Sequence, residues 1–356
     1  MKISDLGEFG LIHAIRKLSA RRSDDVVIGI GDDAAALRSS PAALLLATTD
    51  MLIEGVHFDL SYTDFYSLGW KSAAVNLSDI AAMGGIPRFC LTSLAIPPHI
   101  SVEQITEFYR GFNALLRTHK TILAGGDTCS SLSGLVISVT VLGEAKRKKV
   151  LPRSGARRGD KIFVTGTLGD SAAGMEFLRL RNSRGRTTRN KSPNIQTLKS
   201  PIAELVEKHL RPVPRVEWGK TIALAGCASA MIDISDGLSS DLIHLCEESG
   251  VGAHLFPDAV PLSESLQKSS SQLSEPPLHY ALSGGEDYEL LFTVPPARMK
   301  ALESLNIPVA EIGVITTGKK TYLVDSAGDK TSLRPTGYNH FKGTGIARNA
   351  QCRSSA

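Results

Sequence analysis

Residues 66–85 read YSLGWKSAAVNLSDIAAMGG, and this stretch decides which kind of fold the chain can adopt. Its apolar residues fall on nearly every face of a helix, so the spacing predicts a helix over 66–83 that is buried all round. The pair Gly84-Gly85 that follows is a typical helix stop. Asp79 nevertheless lies within the apolar part, where a carboxylate is costly to desolvate unless a cation or a hydrogen-bond donor compensates it. The helix therefore predicts both a core element and a ligand site.

Segments that read as strands and helices alternate on both sides of this helix. The expected strands cover 26–30, 43–49, 90–96, 121–124, 134–142 and 161–164, and the other expected helices cover 6–18 and 102–118. Such interleaving favours a mixed α/β architecture. A length of 356 residues suggests two domains, or one large one. Because a basic stretch interrupts the pattern at Lys146–Arg158, we predict an N-terminal domain of 1–147, a C-terminal α/β domain of 148–342 and a flexible tail of 343–356.

Charge and composition exclude several classes of protein. The 40 Lys and Arg residues nearly balance the 36 Asp and Glu residues, so we expect no nucleic-acid partner. The segment Arg179–Lys191 is basic but aperiodic, which is more typical of a solvated surface loop, and Ser263–Pro277 is a second predicted loop. No run approaches the roughly 18 apolar residues of a membrane helix. The five cysteines contain no CxxC pair, so we expect neither a disulfide framework nor a zinc site, and a cytoplasmic location.

Aspartates recur where apolar strands end or where glycines lie beside them. They are Asp32, Asp33, Asp50, Asp79, Asp127, Asp233 and Asp236. Any one of them alone is more often a turn former or a helix cap. Strand ends are also where α/β folds place ligands, and clustered carboxylates would need a positive counter-charge. Hard oxygen ligands select Mg²⁺ or a similar ion, and Thr48 and Thr49 offer further oxygens.

Paired glycines add a second element to this pattern. Gly125-Gly126 and Gly284-Gly285 let the backbone approach a ligand closely, and their amides can cradle phosphate, although tight turns explain such pairs equally well. The chain contains neither a GxxxxGK[ST] nor a GxGxxG motif. Carboxylates, an oxygen-ligated metal and glycine turns together indicate an enzyme that handles phosphate groups.

These residues, in this order, resemble the thiamine-monophosphate kinase family. That family shares a superfamily with aminoimidazole ribonucleotide synthetase, selenophosphate synthetase and a hydrogenase maturation protein. The matching motifs are GIGDDAA (29–35), TTDMLIEGVHF (48–58), VNLSDIAAMGG (75–85), LAGGDT (123–128), MIDISDGLSSDL (231–242) and SGGEDYELLF (283–292). With further matches the resemblance spans nearly the whole chain.

The resemblance implies a reaction and a fold. The reaction is ATP-dependent phosphorylation of thiamine monophosphate to thiamine diphosphate, assisted by several Mg²⁺ ions. The fold is two α/β domains of the aminoimidazole ribonucleotide synthetase type. The N-terminal domain is expected to bind ATP and magnesium and to pair with a second subunit, so that the homodimer shares a β-barrel, while the C-terminal domain completes the cleft.

The resemblance also assigns roles to individual positions. Those that match metal ligands are Asp33, Thr48, Thr49, Asp50, Asp79, Asp127, Asp233 and Asp236. Those that match nucleotide contacts are Tyr109, Gly126, Asp127, Arg153 and Ser235. Those that match substrate contacts are His57, Glu286 and Tyr338. No residue is nominated as a general base, because a phosphate monoester with a second pKa of about 6 is already mostly anionic at neutral pH.

Two alternatives stay open at this stage. The first is another ATP-dependent enzyme of the same superfamily that uses a different acceptor. The second is a non-catalytic protein that senses nucleotide or metal on the same scaffold. The complete set of acidic turns argues against a sensor, which could lose several of them.

Overall fold

A computed structural model describes residues 26–28, 32–33, 35–38, 42–183 and 200–338. The first sheet contains six strands, which are β1 (Val26–Ile28), β2 (Ala35–Arg38), β3 (Ala43–Ile53), β4 (Ile86–Ile96), β5 (Ile122–Ser130) and β6 (Val136–Lys146). Their spatial order is β1-β2-β3-β6-β4-β5. All neighbours are antiparallel except β4 and β5, which run parallel. Its two associated helices are α1 (Phe65–Ala82) and α2 (Val102–Thr118).

The second sheet contains seven strands in the order β13-β12-β9-β11-β7-β10-β8. They are β7 (Lys161–Thr165), β8 (Ala230–Asp233), β9 (Gly252–Leu255), β10 (Leu290–Val294), β11 (Val309–Thr316), β12 (Thr321–Val324) and β13 (Lys330–Ser332). The helices of this half are α3 (Asp170–Ser183), α4 (Ser200–Leu210), α5 (Val216–Ala225), α6 (Leu238–Ser249), α7 (Glu264–Ser269), α8 (Pro277–Ser283) and α9 (Met299–Glu303). The predicted mixed α/β architecture is confirmed.

Helix α1 is buried, as its apolar pattern predicts. It begins at the cap residue Asp64, whose side chain accepts a 2.8 Å hydrogen bond from the amide of Ser67. Leu68, Leu77 and Ile80 have no exposed surface. The helix packs against α2, against α5 and β8 of the second half, and against β3 and β6. Contact on so many sides explains why nearly every face is apolar.

Glycines allow these helices to approach closely. A Cβ atom on Gly69 of α1 would lie 1.9 Å from the carbonyl oxygen of Phe108 in α2. A Cβ on Gly219 of α5 would lie 2.1 Å from the carbonyl oxygen of Ala81 in α1. No side chain fits at either position, so both helix crossings depend on glycine.

The main hydrophobic core joins the two halves of the chain. It contains Leu77 and Val139 from the first half together with Phe163, Ala223 and Phe292 from the second. The division at 147/148 stays a prediction. Among the helices that the structure describes, none is long and apolar enough to cross a membrane.

Two loop predictions are wrong in part. Helix α3 continues to Ser183, so the basic loop does not begin at Arg179, because the first turns of that segment extend a helix that packs on α4. The segment Ser263–Pro277 contains α7, which Ser263 caps by accepting a hydrogen bond from the amide of Leu266. The expected helix at 6–18, the segment 184–199 and the tail at 343–356 lie outside the described residues.

Candidate active site

Three aspartates from distant parts of the chain meet where the two halves join. Asp33 precedes β2, Asp79 lies in α1 and Asp233 ends β8, and one carboxylate oxygen of each lies within 4.8 Å of the others. Neighbouring hydroxyls orient two of them. Thr48 Oγ1 donates a 2.6 Å hydrogen bond to Asp79, and Ser78 Oγ donates one of 2.6 Å to Asp233. Helix α1 and two strand ends thus build one acidic cluster.

Asp50 on β3 extends this cluster. Its Oδ2 is buried and has no hydrogen-bond partner among the described residues. Burial raises the pKa of Asp50 to about 6, and the charge of Asp33 adds to the effect while a hydrogen bond with Asp79 opposes it. A buried oxygen without a partner is costly, so this position fits a ligand that the protein itself does not supply.

Burial and mutual repulsion together raise the pKa values of the clustered carboxylates. The pKa of Asp79 is raised well above its ordinary value by burial and then by the charges of Asp50, Asp233 and Asp33. Burial and the charge of Asp33 likewise raise the pKa of Asp233 well above its ordinary value. Carboxylates held this close need protons or a cation to compensate their charge, and an all-oxygen donor set fits Mg²⁺ rather than a softer metal.

Arg153 supplies fixed positive charge at one side of the cluster. Its Nε donates a 2.9 Å hydrogen bond to Asp33 Oδ2, and its terminal nitrogen pairs with the other oxygen of the same carboxylate. The backbone amide of Arg153 also donates a 2.7 Å hydrogen bond to Asp32. A predicted nucleotide contact and a predicted metal ligand are therefore direct neighbours.

The two threonines before Asp50 point in opposite directions. Thr48 faces helix α1 and bonds Asp79, whereas Thr49 lies on the other face of the sheet, because side chains alternate along a strand. Thr49 Oγ1 lies 3.1 Å from the carbonyl oxygen of Val139 and 3.0 Å from Thr140 Oγ1. The structure brings the side chain of Thr48 to the acidic cluster and does not bring that of Thr49.

Three predicted nucleotide contacts line a cavity of about 450 Å³ that is separate from the acidic cluster. Tyr109, Gly126 and Asp127 border it together with Thr92. A Cβ on Gly126 would lie 1.9 Å from the carbonyl oxygen of Thr92, so neighbouring β4 already requires glycine there. Asp127 is exposed and does not join the acidic cluster. Since β6 and β4 lie between β3 and β5, about 14 Å of sheet separates it from Asp50.

The loop between β8 and α6 gathers the remaining predicted residues. The amide of Glu286 donates a 2.8 Å hydrogen bond to the carbonyl of Ser235, and the amide of Tyr338 donates one of 3.2 Å to the carbonyl of Asp236. Asp241 receives the amide of Asp236 at 3.2 Å, which fixes the start of α6. Glu286 has a φ of 67°, in the left-handed region, so its side chain is held in an unusual direction.

His57 lies in the turn that follows β3. The amide of Ile53 donates a 3.0 Å hydrogen bond to His57 Nδ1. In the neutral ring the proton is therefore on Nε2, which makes this nitrogen the N–H donor of the ring. This tautomer suits contact with an anionic or carbonyl oxygen.

Four residues at the site were missed by sequence reasoning, namely Lys71, His209, Asp241 and Tyr288. Lys71 Nζ donates a 2.8 Å hydrogen bond to Glu286, and His209 Nδ1 lies 3.3 Å from the same carboxylate. Burial raises the pKa of Tyr288 well above its ordinary value, and the charges of Glu286 and of the acidic cluster add to this shift. Lys71 could have been found, because it is the one cation in a helix that is otherwise nearly all apolar.

Comparison with known proteins places this site in a family. The model of the AIR synthase related protein N-terminal domain matches residues 31–145, and that of the AIR synthase related protein C-terminal domain matches residues 157–326. The chain thus has the two domains that define AIR synthase related proteins. A thiamine-monophosphate kinase of Bacillus subtilis is 37% identical over 343 residues, which are 95% of this chain and 100% of the relative. One of Aquifex aeolicus is 37% identical over 96% of this chain and 100% of the relative.

Solved structures agree with the sequence relatives. AaThiL complexed with AMPPCP and TMP superposes with a TM-score of 0.81 at 37% identity, covering 96% of this chain and 99% of that one. The hydrogenase maturation protein HypE in complex with ATP shares the fold, with a TM-score of 0.65 at 18% identity over 95% of this chain and 99% of that one. The chain belongs to the thiamine-monophosphate kinase family.

Proposed function

We propose that this protein transfers the γ-phosphoryl group of ATP to thiamine monophosphate, giving thiamine diphosphate and ADP. The observation that carries the proposal is the convergence of Asp33, Asp79 and Asp233 beside Asp50 in a chain of this family. AaThiL, a relative of the same fold, has been solved with AMPPCP and TMP. Two phosphate-bearing substrates repel each other, and such a cluster is what a kinase needs to hold the compensating cations.

The acidic cluster is the proposed magnesium site. Asp33, Asp50, Asp79 and Asp233 would hold Mg²⁺, which when bound screens the negative charge of the phosphates that have to meet. The predicted ligands Thr48, Thr49 and Asp236 stay part of this proposal, Thr49 through its backbone carbonyl. The short bonds from Ser78 and Thr48 keep two of the carboxylates fixed, so little reorganisation is needed during transfer.

Two ends of the cleft are assigned to the two substrates. The nucleotide is proposed to contact Tyr109, Gly126, Asp127 and Arg153 with Ser235, and the cavity at β5 would take the part of ATP remote from the cluster. Asp127, about 14 Å from Asp50, is far enough away to serve a separate ion along the triphosphate. Thiamine monophosphate is proposed to contact Glu286, Tyr338 and His57, with its phosphate directed at the cluster. Alignment of donor and acceptor in line then supplies much of the rate enhancement.

We also propose that the protein is a homodimer whose first sheets pair into a shared barrel. The sheet face opposite α1 carries exposed apolar side chains that no described residue covers, with Met51 55% exposed and Ile122 59% exposed. Phe89 is the strand partner of Ile122, and Leu91 lies two residues further along β4. An exposed apolar patch of this kind on a sheet that ends in an open edge strand is typical of a subunit interface.

A product assay tests the reaction. The folded protein is incubated with ATP and Mg²⁺, with thiamine monophosphate or without an acceptor, and the products are separated by chromatography. Thiamine diphosphate in equal amount to ADP is the expected result. ATP hydrolysis without it would favour an enzyme of the same superfamily with another acceptor, and binding without turnover would favour a nucleotide sensor.

A further inference from the structure

Lys71 is a buried cation that the magnesium and nucleotide assignments leave unexplained. Its side chain is 2% exposed, and its Nζ donates a 2.8 Å hydrogen bond to Glu286. A buried ammonium is costly unless it is paired, so Lys71 and Glu286 depend on each other. Glu286 is more accessible, with 28% of its side chain exposed, so a ligand can reach this side chain.

The same helix face holds the metal cluster. Lys71 and Ser78 are seven residues apart, which is two helical turns and about 10 Å along the axis of α1. Lys71 bonds Glu286, and Ser78 bonds Asp233 at 2.6 Å. One largely buried helix therefore fixes how far the Glu286 carboxylate lies from the acidic cluster.

A second buried group supports Glu286 from the other half of the chain. His209 Nδ1 lies 3.3 Å from Glu286 and 3.2 Å from Ser171 Oγ. Burial lowers the pKa of His209 well below its ordinary value, and the charges of Lys71 and Arg179 act in the same direction, so the ring is neutral. Lys71 is thus the charged partner of Glu286, and His209 is a neutral one.

We propose that Lys71 is a positioning residue that sets the Glu286 carboxylate for the heterocycle of the acceptor. This rests on the proposed function, and it names the chemistry recognised: an N–H donor on an aminopyrimidine, held about two helical turns from the site of phosphoryl transfer. Glu286 touches the substrate, and Lys71 acts through Glu286. The left-handed backbone of Glu286 at φ 67° and the hydrogen bond from Lys71 together hold the direction of its side chain.

Steady-state kinetics of Lys71→Met, Glu286→Gln and the double variant test the proposal. Lys71→Met is expected to raise the KM for thiamine monophosphate about tenfold or more, with the KM for ATP changed less than about twofold. The double variant is expected to be no worse than Glu286→Gln alone, because Lys71 acts only through that carboxylate. Lys161→Met, which removes an exposed pair with Glu311, is the matched control and is expected to match the wild type.

Several outcomes would overturn the proposal. One is an unchanged KM for thiamine monophosphate in Lys71→Met, and another is an equal rise in the KM values for both substrates. A third is a double variant whose effect is the product of the effects of the two single variants. Should Lys71→Met not fold, Lys71→Gln keeps an N–H donor and is expected to show the same selective loss in smaller measure. Wild-type protein that binds thiamine monophosphate without phosphorylating it would overturn the proposed function alone, and the same comparison is then made by titration calorimetry. Wild-type protein that does not bind it would overturn both.

Discussion

Ser78 Oγ donates a 2.6 Å hydrogen bond to Asp233 Oδ2 and thereby joins α1 of the first half to β8 of the second. The donor and acceptor are 155 residues apart in the chain. The acidic cluster therefore exists only when both halves are packed together, and its stability and its chemistry are linked.

Asp50→Asn is expected to lower activity and raise stability. The substitution removes a carboxylate from the proposed magnesium site, so kcat/KM should fall by about 10²-fold or more. It also removes a charge that burial and Asp33 disfavour, so the metal-free protein should gain about 1–3 kcal/mol at neutral pH. Kinetics with Mg²⁺ measure the first effect, and urea unfolding with EDTA measures the second.

Asp127→Asn is the matched control for the stability effect. Asp127 is exposed on β5 and lies outside the cluster, so its substitution should leave the free energy of unfolding within about 0.5 kcal/mol of wild type. The repulsion account fails if Asp50→Asn destabilises the metal-free protein as much as an ordinary buried substitution does.

Magnesium should stabilise the protein more at higher pH. The folded-state pKa values of Asp50, Asp79 and Asp233 are raised above their unfolded values, to about 6 for Asp50. The folded state thus binds more protons than the unfolded state above about pH 4. The stability that these bound protons provide is lost as the pH rises through the folded pKa values. Because Mg²⁺ replaces those protons, its effect on Tm should be small near pH 5 and large near pH 7.5. Thermal scans with MgCl₂, against NaCl of equal ionic strength, measure this; a shift that is equal at both pH values contradicts it.

Leu91→Glu should prevent pairing of the first sheets. Leu91 is 41% exposed on this sheet face, and a carboxylate is costly to bury among the apolar side chains of the proposed interface. Analytical ultracentrifugation is expected to show a dimer for wild type and a monomer for the variant. Val102→Glu, at an exposed apolar position of α2 away from that face, is the control and should stay dimeric. A monomeric wild-type protein would refute the barrel.

Gly219→Ala should destabilise the protein although alanine favours helices. The added Cβ would lie 2.1 Å from the carbonyl oxygen of Ala81, so α5 has to move away from α1. The expected loss is about 1–3 kcal/mol in urea unfolding. Lys220→Ala on the same helix removes an exposed pair with Glu217 and should change stability by less than about 0.5 kcal/mol. Equal stability of the two variants would show that the helix crossing tolerates a side chain.

Much of the fold follows from local patterns in the chain. The all-apolar surroundings of Asp79 predict a buried helix, and the alternation of strands and helices predicts the α/β architecture. The ends of the elements are harder to predict. The expected strand at 121–124 continues to Ser130 because β5 pairs with β4, and no local pattern in the sequence shows this pairing. The helix within Ser263–Pro277 is short and rich in polar residues, and Ser263 caps it. Such a composition is also typical of a loop, so the sequence does not predict the helix.

The site was predictable as a set of residue types and less so as an arrangement. Acidic turns identify Asp33 and Asp233, and the apolar helix around it identifies Asp79, but only tertiary packing shows that the three meet while Asp127 stays apart. The opposite directions of Thr48 and Thr49 follow from strand alternation. Partners such as Lys71 and His209 are separated from Glu286 by long stretches of chain, so no local pattern pairs them.

Transfer of labelled phosphate tests the central claim most directly. The folded protein is given ATP labelled at the γ-phosphoryl group and thiamine monophosphate, first with Mg²⁺, then with excess EDTA, and then with Mg²⁺ restored. We expect labelled thiamine diphosphate with Mg²⁺, none with EDTA, and labelled thiamine diphosphate again when Mg²⁺ is restored. The variant Asp79→Asn is expected to be inactive under all three conditions. Label released only as inorganic phosphate, or transfer to thiamine monophosphate that EDTA and Asp79→Asn leave unchanged, would contradict it.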